Sequence, residues 1–378
     1  HRVPPSFLSL LRRLGILPRI RVLFFFHETT WSGAPIQLWH VVRALQARGY
    51  DVAAAVPKSG AAESGPISES LAEMGAQVFP VVDLSAPPKL DELRALCRDH
   101  DVVVANTLVM WAAVESAHAE CVPVIWYIHE SRVAEHLLAH NPGMQPALEL
   151  ADLVVMPTRR TAQLYAAFTD RAIEVVPYGI PPAADQGKPA RGGRAPRQFL
   201  LLGSYERRKG QDVFLEAIAQ IPPETRERGG FRMAGRKLET EFYEELATRA
   251  GHLPNVELSG AQEHDAALAA TSSSDVLVCA SRDETMPIAI LEAMSLGKAI
   301  VSTDVGGISE WLTDGKNALI VPPENSAALA QALSRCLNEP GLVATLGANA
   351  RRTFHENFSI DRLGKSFARL IEQVRGKP

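Results

Sequence analysis

Cysteine is scarce in this chain. Cys97, Cys121, Cys279 and Cys336 stand far apart and form neither a Cys-x-x-Cys pair nor a Cys/His cluster at zinc spacing. That argues against a disulfide framework and for reduced thiols, mostly in cores, in a cytoplasmic protein. A basic excess is also missing: 39 Lys and Arg face 43 Asp and Glu, for a net charge of −4, which points away from nucleic acid. No apolar run reaches membrane-spanning length; the stretch Val22 to Phe26 is strand-sized. Nothing reads as a signal peptide, and the chain opens on His1 rather than Met, which leaves room for an upstream part. The dinucleotide fingerprint G-x-G-x-x-G is absent after the first strand of either half. The loops there read "HETTWSGAP" and "SYERRKG", which excludes a nicotinamide dehydrogenase. No Asp-x-Asp stands on a strand-end loop with plausible partners, so no metal is expected; Asp283 is not read as a ligand.

What is present is a long, ordinary globular composition. With 378 residues, 46% hydrophobic and 22% charged, the chain is too long for one core, and two domains are the natural expectation. From Arg21 a rhythm of apolar strands and amphipathic helices begins: "RVLFFF", "APIQLWHVVRALQARG", "DVAAAV", and on to "IEVVPYG". Residues 181–198, "PPAADQGKPARGGRAPRQ", break it with Pro, Gly and Arg and read as a linker. The rhythm restarts at "FLLLGS" and runs through "PIAILEAMSLG", "AIVST", a helix at "GISEWLTDG" and "ALIVPP" to a last amphipathic helix, "SIDRLGKSFARLIEQV". Strands that are apolar throughout and alternate with helices mean parallel sheets covered on both faces. The expected architecture is α/β: two tandem doubly wound, Rossmann-like domains at 21–180 and 199–357. An N-terminal segment covers 1–20 and a terminal helix 358–378. Residues 6–21, "SFLSLLRRLGILPRIR", fit a basic amphipathic helix on an anionic membrane, and equally a helix packed on the domain.

The stretch "SRDETMPIAILEAMSLGKAIVSTDVGGISE" sets Glu284 and Glu292 eight positions apart, with Pro287 between them. Proline favours the first helical position, so Pro287 should open the helix with Thr285 or Met286 near the cap. Glu284 then lies in the strand-to-helix loop. Glu292 lies inside an otherwise apolar helix, where a charge needs a pocket or donors. The amides of Met286, Ile288 and Ala289 with the helix dipole would make an anion site. Spacing alone also allows Glu284 to cap the helix and Glu292 to meet solvent or an Arg.

The stretch from Ser281 to Asn325, "SRDETMPIAILEAMSLGKAIVSTDVGGISEWLTDGKNALIVPPEN", resembles the signature of the retaining nucleotide-sugar glycosyltransferases of family 4, which have the GT-B fold. The E-x7-E spacing, "EAM", "AIVSTDVGG" and "DGKNALIVPP" agree in order. The resemblance implies two Rossmann-like domains facing across a cleft and a last helix that crosses back to the first domain. It implies a nucleotide-diphosphate sugar as donor substrate, a hydroxyl acceptor (glycan, lipid-linked or small molecule), retention of configuration, no metal and no other cofactor. Residue by residue, it assigns Glu292 to the donor ribose, Glu284 to the donor sugar with Met286, Pro287 and Ile288 beside it, and Lys209 to the diphosphate. His129 of "WYIHE" falls near the reacting bond. Ser32, Gly33 and Ala34 match the acceptor or phosphate loop, and Gly235 and Gly260 the loops that border the base. Glu284, His129 and Lys209 form the catalytic set.

Two departures stand out. Ser204 occupies a position where the family often has Arg, five residues before Lys209; Arg207 or Arg208 could supply that cation. The first loop reads Ser32-Gly33-Ala34 where Gly-Gly-Ala is usual. Two other readings stay open, a GT-B sugar-nucleotide 2-epimerase and a degenerate donor-binding module. Taken singly, Lys209 could be a solvated helix-start residue, His129 a satisfied strand-end histidine, Gly306-Gly307 a tight turn and Glu310 a salt-bridge partner. The expected location is cytoplasmic, at the inner face of the membrane if residues 6–21 bind lipid.

Overall fold

The computed structural model describes residues 19–58, 65–82, 90–183 and 196–376. The chain divides into two compact units. One runs to Ile180 and resumes at Ser359; the other is Pro181–Phe358.

The first unit is built on seven strands: β1 (Arg21–Phe25), β2 (Asp51–Pro57), β3 (Gln77–Val82), β4 (Val102–Asn106), β5 (Val124–Tyr127), β6 (Leu153–Met156) and β7 (Ile173–Val175). They pair in parallel in the order β3-β2-β1-β4-β5-β6-β7. Leu23 sits level with Ala53 on one side and Val103 on the other. Phe24, Phe25, Val103 and Trp126 are fully buried, as strands covered on both faces require. The chain leaves β1 toward β2 and later returns to add β4 on the other flank, so the order reverses between β1 and β4.

The last helix, Ile360–Arg375, belongs to this unit. It packs on the helix Gly33–Gln46. A Cβ on Gly364 would stand 2.8 Å from that of Ala44, so only glycine allows the approach. Arg48 reaches the Asp361 carbonyl at 2.9 Å, and the buried ring of Phe367 lies 5.1 Å from that of Tyr127.

The second unit repeats the plan with six parallel strands: β8 (Arg197–Leu202), β9 (Gly229–Ala234), β10 (Val256–Ser259), β11 (Val276–Cys279), β12 (Ala299–Thr303) and β13 (Leu319–Val321). Their order is β10-β9-β8-β11-β12-β13. The reversal falls between β8 and β11, and ligands of such sheets bind at the carboxyl ends of the strands at that point. Phe199, Phe231 and Phe214 form an aromatic centre, with the first two rings stacked at 4.9 Å.

Several expectations are corrected. "GISEWLTDG" is no α-helix but a single 3-10 turn, Ile308–Glu310. Asn317 ends it, accepting from the Thr313 amide at 2.7 Å and donating to the Trp311 carbonyl at 3.0 Å. The helices Val133–His140 and Pro223–Arg226 went unread in the sequence. β8 starts at Arg197, inside the expected linker, whose residues 184–195 lie outside the described residues, as do residues 1–18 of the basic N-terminal segment. Among the described residues no helix is long and apolar enough to cross a membrane. All four cysteines are free; Cys97, Cys279 and Cys336 are buried and Cys121 is exposed.

Candidate functional site

In the second unit the loops leaving β8 and β11 bring together residues 75 positions apart. Lys209 Nζ donates to Glu284 Oε1 at 2.6 Å, and Ser281 Oγ donates to the same oxygen at 2.9 Å. Arg208 lies 3.5 Å from Glu284 Oε2. Burial alone would push the Glu284 carboxyl up. The charges of Lys209 and Arg208, with the hydrogen bonds from Lys209 and Ser281, instead hold it below the usual carboxylate range. The result is an ionised carboxylate under two cations, at the sheet's reversal point.

Glycines make that approach possible. Gly210 follows Lys209 with φ +68°, and a Cβ there would stand 2.0 Å from the Ala280 carbonyl oxygen. Gly306 has φ +53°, and its Cβ would fall 1.9 Å from the Glu284 carbonyl oxygen, while the Gly307 amide donates to the Thr285 carbonyl at 2.8 Å. The Gly-Gly pair after β12 is therefore the seat on which the Glu284 loop rests.

Pro287 stands one residue outside its expected place. The helix is Ile288–Ser295, and Pro287 is its N-cap, with φ −65° but an extended ψ of 129°. Its carbonyl accepts from the Ile290 amide at 3.1 Å. Pro287 has no N–H to offer a ligand, so the tip's amides are those of Ile288 and Ala289, which have no acceptor within the helix. Met286 is buried beside them.

Glu292 is a turn further in, buried, and His264 Nε2 lies 3.7 Å from its Oε1. Burial raises its carboxyl to about 8. Burial also lowers the His264 ring, against the pull of Asp265. Neither group is drawn into a full ion pair.

Of the flanking residues, Ser204 offers its carbonyl to Gln211 Nε2 at 2.8 Å, and no cation stands at its position. Arg207 turns away to Glu245 at 3.1 Å and lies over the Phe242 ring, so Arg208 is the arginine at Glu284. Gly235 packs so closely that a Cβ would meet the Gly203 carbonyl oxygen at 2.0 Å; the space beside Gly260 is open.

In the first unit, His129 follows β5 and is buried. Tyr178 Oη lies 2.7 Å from Nδ1 and Asn106 Oδ1 lies 2.7 Å from Nε2. A carbonyl oxygen only accepts, so Nε2 carries the proton and Nδ1 accepts from the tyrosine. Burial, with the nearby His27, lowers the ring to about 3, which keeps it neutral. The catalytic role expected for His129 thus falls on a ring whose two nitrogens are both engaged. Beside it Asn106 Nδ2 and Tyr127 Oη are buried without a protein partner. Ser32 stands at the N-cap position of the helix Gly33–Gln46 without a side-chain capping bond, its hydroxyl donating to Glu28 instead; Gly33 and Ala34 are the first helical residues rather than loop, and the space beside Gly33 is open.

Sequence reasoning missed Ser281, His264, Asn106 and Tyr178. Ser281 had a signal, three residues before Glu284; the others depend on strand order. Among the described residues no three His, Cys, Asp or Glu side chains gather as a metal site.

Residues 189–353 match the model of the glycosyl transferases group 1, and residues 19–145 that of glycosyl-transferase family 4. The chain is 27% identical over 232 residues to the alpha-D-kanosaminyltransferase of Streptomyces kanamyceticus, 60% of each chain. It is 29% identical over 265 residues to the phosphatidyl-myo-inositol mannosyltransferase of Mycolicibacterium smegmatis, covering 67% of this chain and 66% of the relative. These matches span less than two thirds of either relative. Among solved structures, Anabaena Alr3699/HepE, crystallised with UDP and glucose, superposes with a TM-score of 0.80 at 19% identity, over 94% of this chain and 100% of that one. The sucrose-phosphate synthase of Thermosynechococcus elongatus gives 0.77 at 19% identity, over 94% and 99%. At that identity the likeness establishes the fold, which is GT-B.

Proposed function

The chain belongs to the family 4, group 1 glycosyltransferases, and from that premise we propose that it transfers a sugar from a nucleotide diphosphate to a hydroxyl acceptor with retention of configuration and without a metal. The observation that carries this reading is the cluster of Lys209, Arg208 and Glu284 at the β8/β11 reversal, with Glu292 one helix turn away. Support comes also from the solved relative that holds UDP and glucose.

In this reading the donor enters with its diphosphate on Lys209, Arg208 and the Ile288 and Ala289 amides, where the helix dipole adds to the side-chain charge. Glu292 accepts from the ribose hydroxyls and Glu284 from the sugar. As the glycosyl–phosphate bond breaks, positive charge builds on the sugar and negative charge on the diphosphate. The fixed cations stabilise the latter without having to reorganise. The acceptor oxygen bonds to the anomeric carbon on the face the phosphate leaves, and the departing phosphate oxygen takes the acceptor proton. No side chain need serve as base, and His129, neutral with both ring nitrogens engaged, takes no part in this proton transfer.

The test is a thermal-shift and transfer assay with UDP-, GDP- and ADP-sugars. One donor class should stabilise the protein, and Lys209→Ala should abolish most of that shift. EDTA should leave the rate unchanged, and the product should keep the donor's anomeric configuration by NMR. Undiminished turnover in a Glu292→Ala, Lys209→Ala double variant would refute the assignment.

A further inference from the structure

The pairing of Lys209 with Glu284 spans two loops that have no covalent reason to stay in register, and the structure shows what holds them. The Arg282 amide donates to the Arg208 carbonyl at 2.8 Å, and its guanidinium donates to the Arg207 carbonyl. The same guanidinium grips Asp212 with two parallel bonds of 2.9 Å, one to each carboxylate oxygen. Its remaining nitrogen, Nε, donates to Glu324 at 3.0 Å. Asp212 is the second residue of the helix Gln211–Gln220, which starts one residue after Gly210. Glu324 lies beyond the end of β13 with φ +59°, a left-handed conformation costly for a glutamate. One planar side chain thus ties the end of the β8 loop, the helix that follows it and the exit from β13 to the β11 loop. Arg208 closes the lacing from the other side, donating to the Asp283 carbonyl at 3.1 Å.

We infer that Arg282 is the positioning residue of the donor diphosphate subsite: it fixes the β8 loop so that Lys209 and Arg208 face the phosphates, while itself touching no ligand. This rests on the function proposed above and goes beyond it. The chemistry suits the task. Only the guanidinium fork can satisfy a bidentate carboxylate, a backbone carbonyl and a third acceptor at once; a lysine ammonium is a point charge on a flexible stem. Four of the five N–H groups of the Arg282 guanidinium are already given to Glu324, Asp212 and the Arg207 carbonyl, so its effect on a ligand passes through the loop it holds. Glu292 lies on the far side of Pro287 and shares none of these partners, so the ribose contact should not depend on Arg282.

That separation supplies the experiment, run on the full chain with UDP and uridine as probes, or with the nucleotide that the thermal screen selects. Arg282→Met should weaken the nucleoside diphosphate by roughly tenfold, the loss expected for misplacing one charge-assisted contact. It should leave the nucleoside unchanged. Arg282→Lys should rescue little. In a double-mutant cycle, Arg282→Met should cost less in the Lys209→Ala background than in the wild type, because only the part that passes through Arg208 is left to lose. Equal weakening of diphosphate and nucleoside, or full additivity with Lys209→Ala, would overturn the inference. A second readout needs no nucleotide: acylation of Lys209, followed by mass spectrometry, should quicken several-fold in Arg282→Met, since its ammonium is no longer held on Glu284. An unchanged rate would also overturn it. If the wild type binds no nucleoside diphosphate but the labelling rate still rises, the proposed function fails while the positioning role stands.

Discussion

Glu284 and Glu292 look alike in the sequence, yet their surroundings drive them apart. Glu284 is held ionised by Lys209 and Arg208, whereas Glu292 is raised by burial to about 8. An acid whose folded pKa exceeds its unfolded value near 4.5 stabilises the fold fully below 4.5, and that contribution fades as pH rises to about 8. Replacing Glu292 by Gln should therefore flatten the fall in melting temperature between those limits. It should also weaken nucleoside diphosphate binding at pH 8, where the wild-type carboxylate has become an acceptor. Titrating melting temperature and affinity against pH in both proteins checks the two effects together. Glu284→Gln should behave in the opposite way. It strands Lys209 beside a neutral amide and removes stability above the usual carboxylate range, by about 1–3 kcal/mol, as chemical denaturation at pH 7 would read. The glutamate spacing was legible because it lies within one short stretch. Its partner Lys209 could be assigned only by resemblance, since what joins them is the strand order and the glycines at 210 and 306.

At the scale of elements, the strands were legible because burial on both faces leaves them almost wholly apolar, as "VLVC" and the first four residues of "VVVAN" show. Helices whose exposed face is large were harder. Val133–His140 carries His136 and His140 and an exposed Val133, so its apolar stripe is thin and it was passed over. The reverse case is "GISEWLTDG", residues 307–315, which reads as a helix but keeps only the 3-10 turn Ile308–Glu310, because side-chain bonds from Asn317 to the backbone compete with helical ones. The terminal helix was legible from its period, and its load is predictable. Phe367→Ala should cost about 3–5 kcal/mol, the range for truncating a buried aromatic. The loss should appear as faster amide exchange in β5 and in the helix Gly33–Gln46. Gly306→Ala, by contrast, should leave the first unit untouched and displace the Glu284 loop, seen as lost nucleotide binding with little change in circular dichroism.

For the molecule as a whole, two units with separate cores need not unfold together. A nucleoside diphosphate should raise the calorimetric transition of Pro181–Phe358, because the cations and amides assigned to it all lie there. The division into two sheets was readable from the broken rhythm near residue 181. The return of residues 359–375 to the first unit was expected from resemblance alone, since nothing in a helical period names the surface it will meet. The buried imidazole of His129 gives the first unit an acid weakness of its own. A ring kept neutral down to about 3, though it would take up a proton near 6.5 once unfolded, makes unfolding easier as the medium sours below 6.5. Acid therefore erodes one half of the molecule below 6.5 while alkali erodes the other above 4.5, so between those two values each change of pH relieves one half at the expense of its neighbour.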